Sequence, residues 1–302
     1  MPRINIVADG DGEYGMGHIV RQRRLAEVLQ QRGAEVCFYL EPHQKRCRKL
    51  VSDFVIKTPD DISASEVLIV DRMPDNNSNL GDLRQFCDTF IVFVSSGQFV
   101  TLETYWLADY VVWQNMHNTE HNSMPDFLRP KAREGKDWII LSPSLRNPEL
   151  AEHRYGIATY FGGGVDRDAI LSSGPEDVFW LGRDGDLEYN HTPWSYDVGA
   201  TLLASRAFLG TMGMVAYEAI SAGLRPLLVS RAEDHRRTAG LLQGMELAYD
   251  LGLAEEWGDD KTARMREILD NGRTHLSGPY LRPDGWGAWR IADLILNGGK
   301  LI

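Results

Sequence analysis

At 302 residues the chain exceeds one ordinary domain of roughly 100–200 residues, so two hydrophobic cores are expected. A hydrophobic fraction of 43%, with 10% aromatic and 25% charged residues, excludes a disordered or fibrous chain. A formal net charge of −11 excludes a protein whose affinity rests on neutralising phosphate backbones, so no nucleic-acid partner is expected.

The chain opens on an apolar run, Ile4-Asn5-Ile6-Val7-Ala8, followed by a glycine loop and an amphipathic stretch from Ile19 to about Arg32, which predicts strand, loop and helix. Further strands are expected at 35–40, 67–71 and 90–94, nearly continuous apolar runs of the kind buried in parallel sheets. Short strands at 110–113 and 139–141 flank a polar stretch from Gln114 to Lys136, read as a long functional loop. Periodicity fades between Pro143 and His153, and a new strand and loop begin at Ile157. The boundary is therefore expected near residue 150, giving domains 1–150 and 151–302. The second half repeats the logic with strands at 178–181, 207–209 and 225–229 and a helix from Met214 to Ala222. Two Rossmann-like, doubly wound α/β domains follow, with ligands expected at the carboxyl ends of their sheets and a cleft between the two domains.

No stretch reaches the roughly 18 consecutive apolar residues of a membrane span, and no basic segment followed by an apolar core marks the amino terminus. A cytoplasmic protein without a transmembrane segment is expected. Cys37, Cys47 and Cys87 are odd in number and widely spaced, which argues for buried, reduced thiols rather than disulfides or a zinc site. The basic runs Gln22-Arg23-Arg24, 45–49 and His235-Arg236-Arg237 read as solvated helix faces.

Three loops carry candidate chemistry. Residues 10–15 satisfy G-x-G-x-x-G after a strand, with Glu41 ending the next one, an arrangement seen in dinucleotide sites. Here further residues separate the hexapeptide from the helix, so a substrate-binding glycine loop is the better fit. Within it, Gly15 and Gly17 allow close backbone approach, and His18 opens the helix. At that positive end a neutral imidazole can take up a proton, although a loop histidine can also just satisfy local hydrogen bonds. Gly162-Gly163-Gly164 closes the first strand of the second half and can expose backbone N–H groups to a phosphate, or merely turn the chain. Thr211-Met212-Gly213 precedes a helix start suited to a diphosphate, and Glu218, one turn on, can accept ribose hydroxyls or face solvent. The segment 230–235, with Asp234 and His235, leaves the next strand at the same edge.

Taken together, the chain resembles the UDP-sugar hydrolases of the pseudaminic acid pathway, relatives of the GT-B glycosyltransferases. The matching pieces are residues 9–21 with Gly15, Gly17, His18 and Arg21, Val70-Asp71, 108–115, 141–146, 161–163, 213–226 with Glu218, Asp234-His235 and 284–288. The resemblance implies that His18 is the general base for a water attacking the anomeric carbon, with inversion and release of UDP. It implies that Gly15, Gly17, Arg21, Asp71, Met73, Asp234 and His235 contact the substrate, and that Gly162, Gly163, Gly164, Thr211, Met212, Gly213 and Glu218 hold the nucleotide. No metal or cofactor is implied, and the last helix, about 286–297, is expected to return to the first domain. The family's tyrosine two residues after Asp71 is Met73 here, and an amide position near the second-domain site is Asp234. Those departures keep open a glycosyltransferase using the same donor, and a nucleotide-sugar-binding protein without turnover.

Overall fold

The computed structural model describes residues 1–10, 16–72, 79–95, 100–116, 124–147, 155–161, 165, 167–172, 177–181, 191–192, 197–278 and 282–298. The chain divides into two compact units: Met1–Ile140 with Trp286–Ile302, and Leu141–Gly285. The division falls ahead of the expected residue 150, because Leu141 to Arg146 packs with the second unit: Ser144 Oγ donates to Asp197 at 2.7 Å.

The first unit holds strands β1 (Arg3–Ala8), β2 (Glu35–Tyr39), β3 (Val55–Lys57), β4 (Ser65–Asp71), β5 (Cys87–Ser95), β6 (Tyr110–Gln114) and β7 (Ala132–Arg133). Its helices are α1 (Gly17–Gln31), α2 (Lys45–Leu50), α3 (Leu80–Arg84), α4 (Leu102–Leu107) and, from the end of the chain, α10 (Gly287–Leu296). The seven strands are parallel in the order β3-β2-β1-β4-β5-β6-β7. From β1 the chain winds outward to β2 and β3, then crosses to β4 and winds the other way. The order therefore reverses between β1 and β4, the place where doubly wound sheets bind ligands.

Both faces of the sheet are covered, which accounts for the unbroken apolar runs in its central strands. One face packs Ile4, Ile6, Val67, Ile69 and Ile91 with Ile19, Leu25 and Leu29 of α1 and Ile291, Ala292 and Ile295 of α10. The other buries Val7, Leu68, Val70, Phe90 and Val92 with Tyr105 of α4 and with Met124 and Leu128. That second group corrects the reading of 114–136 as one long loop: Met124 and Leu128 are core residues, and Ala132 pairs with Val111 as the seventh strand. No strand forms at 139–141; Gln114 takes over there, accepting from Ile140 N at 3.0 Å and donating to Trp138 O at 2.9 Å.

The second unit holds β8 (Tyr155–Tyr160), β9 (Val178–Leu181), β10 (His191–Thr192), β11 (Ser205–Thr211), β12 (Leu227–Ser230) and β13 (Tyr249–Leu253). Its helices are α5 (Arg167–Ser172), α6 (Gly199–Leu203), α7 (Met214–Ser221), α8 (Glu233–Gly244) and α9 (Asp259–Asp270). Six parallel strands follow the order β10-β9-β8-β11-β12-β13, so the winding reverses between β8 and β11. In sequence the triple glycine comes shortly after β8, and Thr211 ends β11 with Met212 and Gly213 following it. None of the three cysteines is in a disulfide; Cys47 is buried, and burial raises the thiols of Cys37 and Cys87 above their ordinary values.

Candidate active site in the first unit and helix start in the second

In the first unit α1 begins at Gly17, which places His18 in its first turn. The side chain is 8% exposed, and its Nδ1 lies 2.6 Å from Oδ1 of Asp71, the last residue of β4. Asp71 is wholly buried yet accepts from two neighbours besides His18. Arg21 reaches both carboxylate oxygens, with Nε at 2.6 Å from Oδ2, and Gln22 Nε2 donates to Oδ2 at 2.8 Å. Arg21 also donates from Nη1 to Ser95 Oγ at 3.0 Å, at the end of β5. Burial alone would raise the Asp71 carboxyl, but the Arg21 guanidinium and the His18 ring against it hold it well below the usual carboxylate range.

This settles the tautomer by elimination. An ionised carboxylate only accepts, so Nδ1 of His18 must carry the hydrogen. Arg21 Nη2 also lies 3.1 Å from that nitrogen, but both atoms are donors converging on one oxygen, not partners. In the neutral ring the lone pair then belongs to Nε2, the nitrogen that a general base would use.

Arg21 and Asp71, expected among the substrate contacts, lie beneath the His18 ring. At 2% and 0% exposure they use their polar atoms on His18, Gln22 and Ser95 and so hold the His18 ring in place. The Gln22-Arg23-Arg24 run is not a solvated face either: Gln22 and Arg24 are buried, and Arg23 pairs with Glu27 and Asp53. Gln22 was missed, and its signal was available. His18, Arg21 and Gln22 stand three and four residues apart, on one stripe of the helix. Gly17 opens α1, whereas Gly15 and Met73 lie outside the described residues.

In the second unit β11 ends at Thr211, and α7 follows Gly213 with no side chain capping its first turn. Thr211 and Met212 are buried. Gly213 is extended, with φ of 163°, and a Cβ there would meet nothing within 4 Å, so space is open ahead of the helix start. Gly210, by contrast, is fixed by packing, since a Cβ would collide with the Tyr160 carbonyl oxygen on β8. Glu218 is 1% exposed, and its Oε1 accepts from Ser142 N at 3.0 Å and Ser142 Oγ at 2.7 Å. It anchors the Ser142 segment, a role not foreseen for it. Gly162, Gly163 and Gly164 lie outside the described residues.

Asp234 and His235 sit in the first turn of α8 and differ in setting. Asp234 is exposed and lines a charged cavity of about 600 Å³ with Arg236, Arg237 and Asp250. His235 is half-buried with Nδ1 lacking a hydrogen-bond partner, and burial, reinforced by the Arg231 charge, pushes it below its ordinary value against the opposing pull of Asp234. Among the described residues no three His, Cys, Asp or Glu side chains are placed to hold a metal, and no helix is long and apolar enough to cross a membrane.

No protein-family model matches the chain. Its sequence is 23% identical to the spore coat polysaccharide biosynthesis protein SpsG of Bacillus subtilis, over 97% of both chains. Among solved structures it is similar to MurG of Acinetobacter baumannii (TM-score 0.65, 14% identity, 98% of this chain and 100% of that one). It is also similar to Arabidopsis thaliana UGT89C1 complexed with UDP (0.63, 11%, 98% and 100%). A third is the glycosyltransferase SnogD from Streptomyces nogalater (0.57, 14%, 97% and 99%). The chain is thus similar to SpsG in sequence, and its two parallel-sheet α/β domains are those of the GT-B fold that these solved structures share.

Proposed function

We propose that the protein is an enzyme acting on a nucleotide sugar, a hydrolase that releases UDP and a free amino or deoxy sugar. The observation that carries this reading is the His18–Asp71 pair at the reversal point of the first sheet, with Nδ1 committed to the carboxylate. His18 Nε2 takes a proton from water as the oxygen bonds to the anomeric carbon. The bond from that carbon to the diphosphate oxygen breaks, and its electron pair leaves with UDP. Direct attack from the opposite face inverts the anomeric centre. The start of α7, with Thr211, Met212 and Gly213, supplies backbone N–H groups for the diphosphate. Each step uses protein groups and water alone, and the reading assigns no metal or cofactor.

A transferase is the second reading, favoured by the glycosyltransferases among the structural neighbours. The same base would then deprotonate an acceptor hydroxyl. His18→Ala should lower UDP release by about 10²–10⁴-fold; turnover within a few fold of the parent would refute the base. Oxygen-18-labelled water separates the two chemistries. Hydrolysis puts the label in the free sugar, whereas unlabelled product joined to an added acceptor identifies transfer.

A further inference from the structure

Immediately beyond the carboxyl ends of β1 and β4 stand Asp9 and Arg72, side by side at the reversal point of the first sheet. Arg72 follows Asp71 directly, and the Asp9 amide donates to the Asp71 carbonyl at 3.0 Å, so the pair adjoins the strand end that holds His18. The Arg72 and Asp9 side chains are only 11% and 8% exposed, and Arg72 Nε lies 3.5 Å from Asp9 Oδ1, beyond ordinary hydrogen-bond length. Arg72 Nε is buried without a hydrogen-bond partner. A guanidinium carries five N–H donors, and a cation this deep ordinarily has them satisfied. Arg21, one strand face away, shows the contrast, with hydrogen bonds to Asp71 and Ser95.

We propose that Arg72 reads an anion: it receives a carboxylate or phosphate carried by the sugar-side part of the substrate, with Asp9 keeping the guanidinium in place. This rests on the nucleotide-sugar reading and narrows it to an acidic donor sugar or an acidic second substrate. The guanidinium fork suits either anion by paired N–H···O bonds, which an ammonium cannot reproduce in full. The competing account is an ion pair that serves the fold alone.

Calorimetry on the full chain tests it, with UDP, UDP-glucose and UDP-glucuronate as ligands, and with glucuronate and glucose titrated both with and without UDP. In the parent the acid should bind about tenfold or more tighter than its neutral counterpart. Arg72→Gln should reduce that preference to less than about threefold, Arg72→Lys should restore part of it, and UDP itself should bind all three proteins alike. A preference confined to the UDP-linked sugars puts the anion on the donor; one confined to free glucuronate puts it on a second substrate. Equal binding of acid and neutral sugar in both arms, or a preference that survives Arg72→Gln, overturns the proposal. Failure of UDP to bind would sink the nucleotide reading instead, and the titrations without UDP would still judge Arg72. If Arg72→Gln does not fold, the parent's Arg72 Nε–H resonance, assigned with Arg72→Lys, decides: glucuronate should move it and glucose should not.

Discussion

The His18 ring is held by a carboxylate that solvent does not reach. Asp71 stays ionised because Arg21 lies against it, so the two are worth examining as a unit. Asp71→Asn should destabilise the protein by about 3–5 kcal/mol, because it leaves a buried guanidinium without its counter-charge. Adding Arg21→Met should recover much of that loss in a denaturant melt, while leaving His18 facing an amide that can donate or accept in place of its acceptor-only carboxylate. Nitrogen-15 spectra of the ring would show the second effect as loss of the fixed Nδ1–H form. A different titration belongs to His235, whose folded value is depressed. Above about pH 6.5 its ring is neutral in folded and unfolded chains alike; as pH falls, the unfolded chain binds the proton first, and stability is lost until the folded protein also protonates. Melting curves at pH 7.5 and 5.5, taken as rough brackets of that value, should show a smaller acid-induced fall for His235→Gln than for the parent.

Among the elements, two glycines three residues apart carry opposite constraints. Gly210→Ala drives a methyl into the Tyr160 carbonyl across the β8–β11 pair and should cost about 1–3 kcal/mol in a thermal melt. Gly213→Ala meets open space and should melt within about 0.5 kcal/mol of the parent. Its methyl would stand where a ligand's phosphate is expected, so UDP affinity is the property that should fall. The strands of the first sheet were legible because continuous apolar runs such as 67–70 mark strands covered on both faces. The seventh strand was not: two residues, Ala132 and Arg133, pair only because Met124 and Leu128 are drawn into the core beside them. His18 stands out directly after two glycines at a helix start, whereas the residues that hold it do not. Asp71 ends a strand as many acids do, and an Arg-rich helix segment reads as solvated until the fold supplies a buried carboxylate for it to meet.

At the scale of the molecule, the first unit is assembled from both parts of the chain that flank the second. Gly287 begins α10 against the Ile139 carbonyl, too close for any Cβ, and Ile291, Ala292 and Ile295 fill the core beside α1. Arg32 and Asp293 pair at the rim of that contact. Removing residues 286–302 should therefore uncover apolar surface on α1 and lower the stability of the first unit by more than the 2–5 kcal/mol of a single large-to-small core change, read by hydrogen exchange on β1 and β4. The order of synthesis gives the same feature a temporal meaning. Residues 141–285 leave the ribosome with every strand of their own sheet, whereas the earlier-made unit must wait for its closing helix. Until then the flank of α1 that α10 will cover faces water, and a nascent chain halted short of residue 287 offers that bare flank to chaperones or to aggregation.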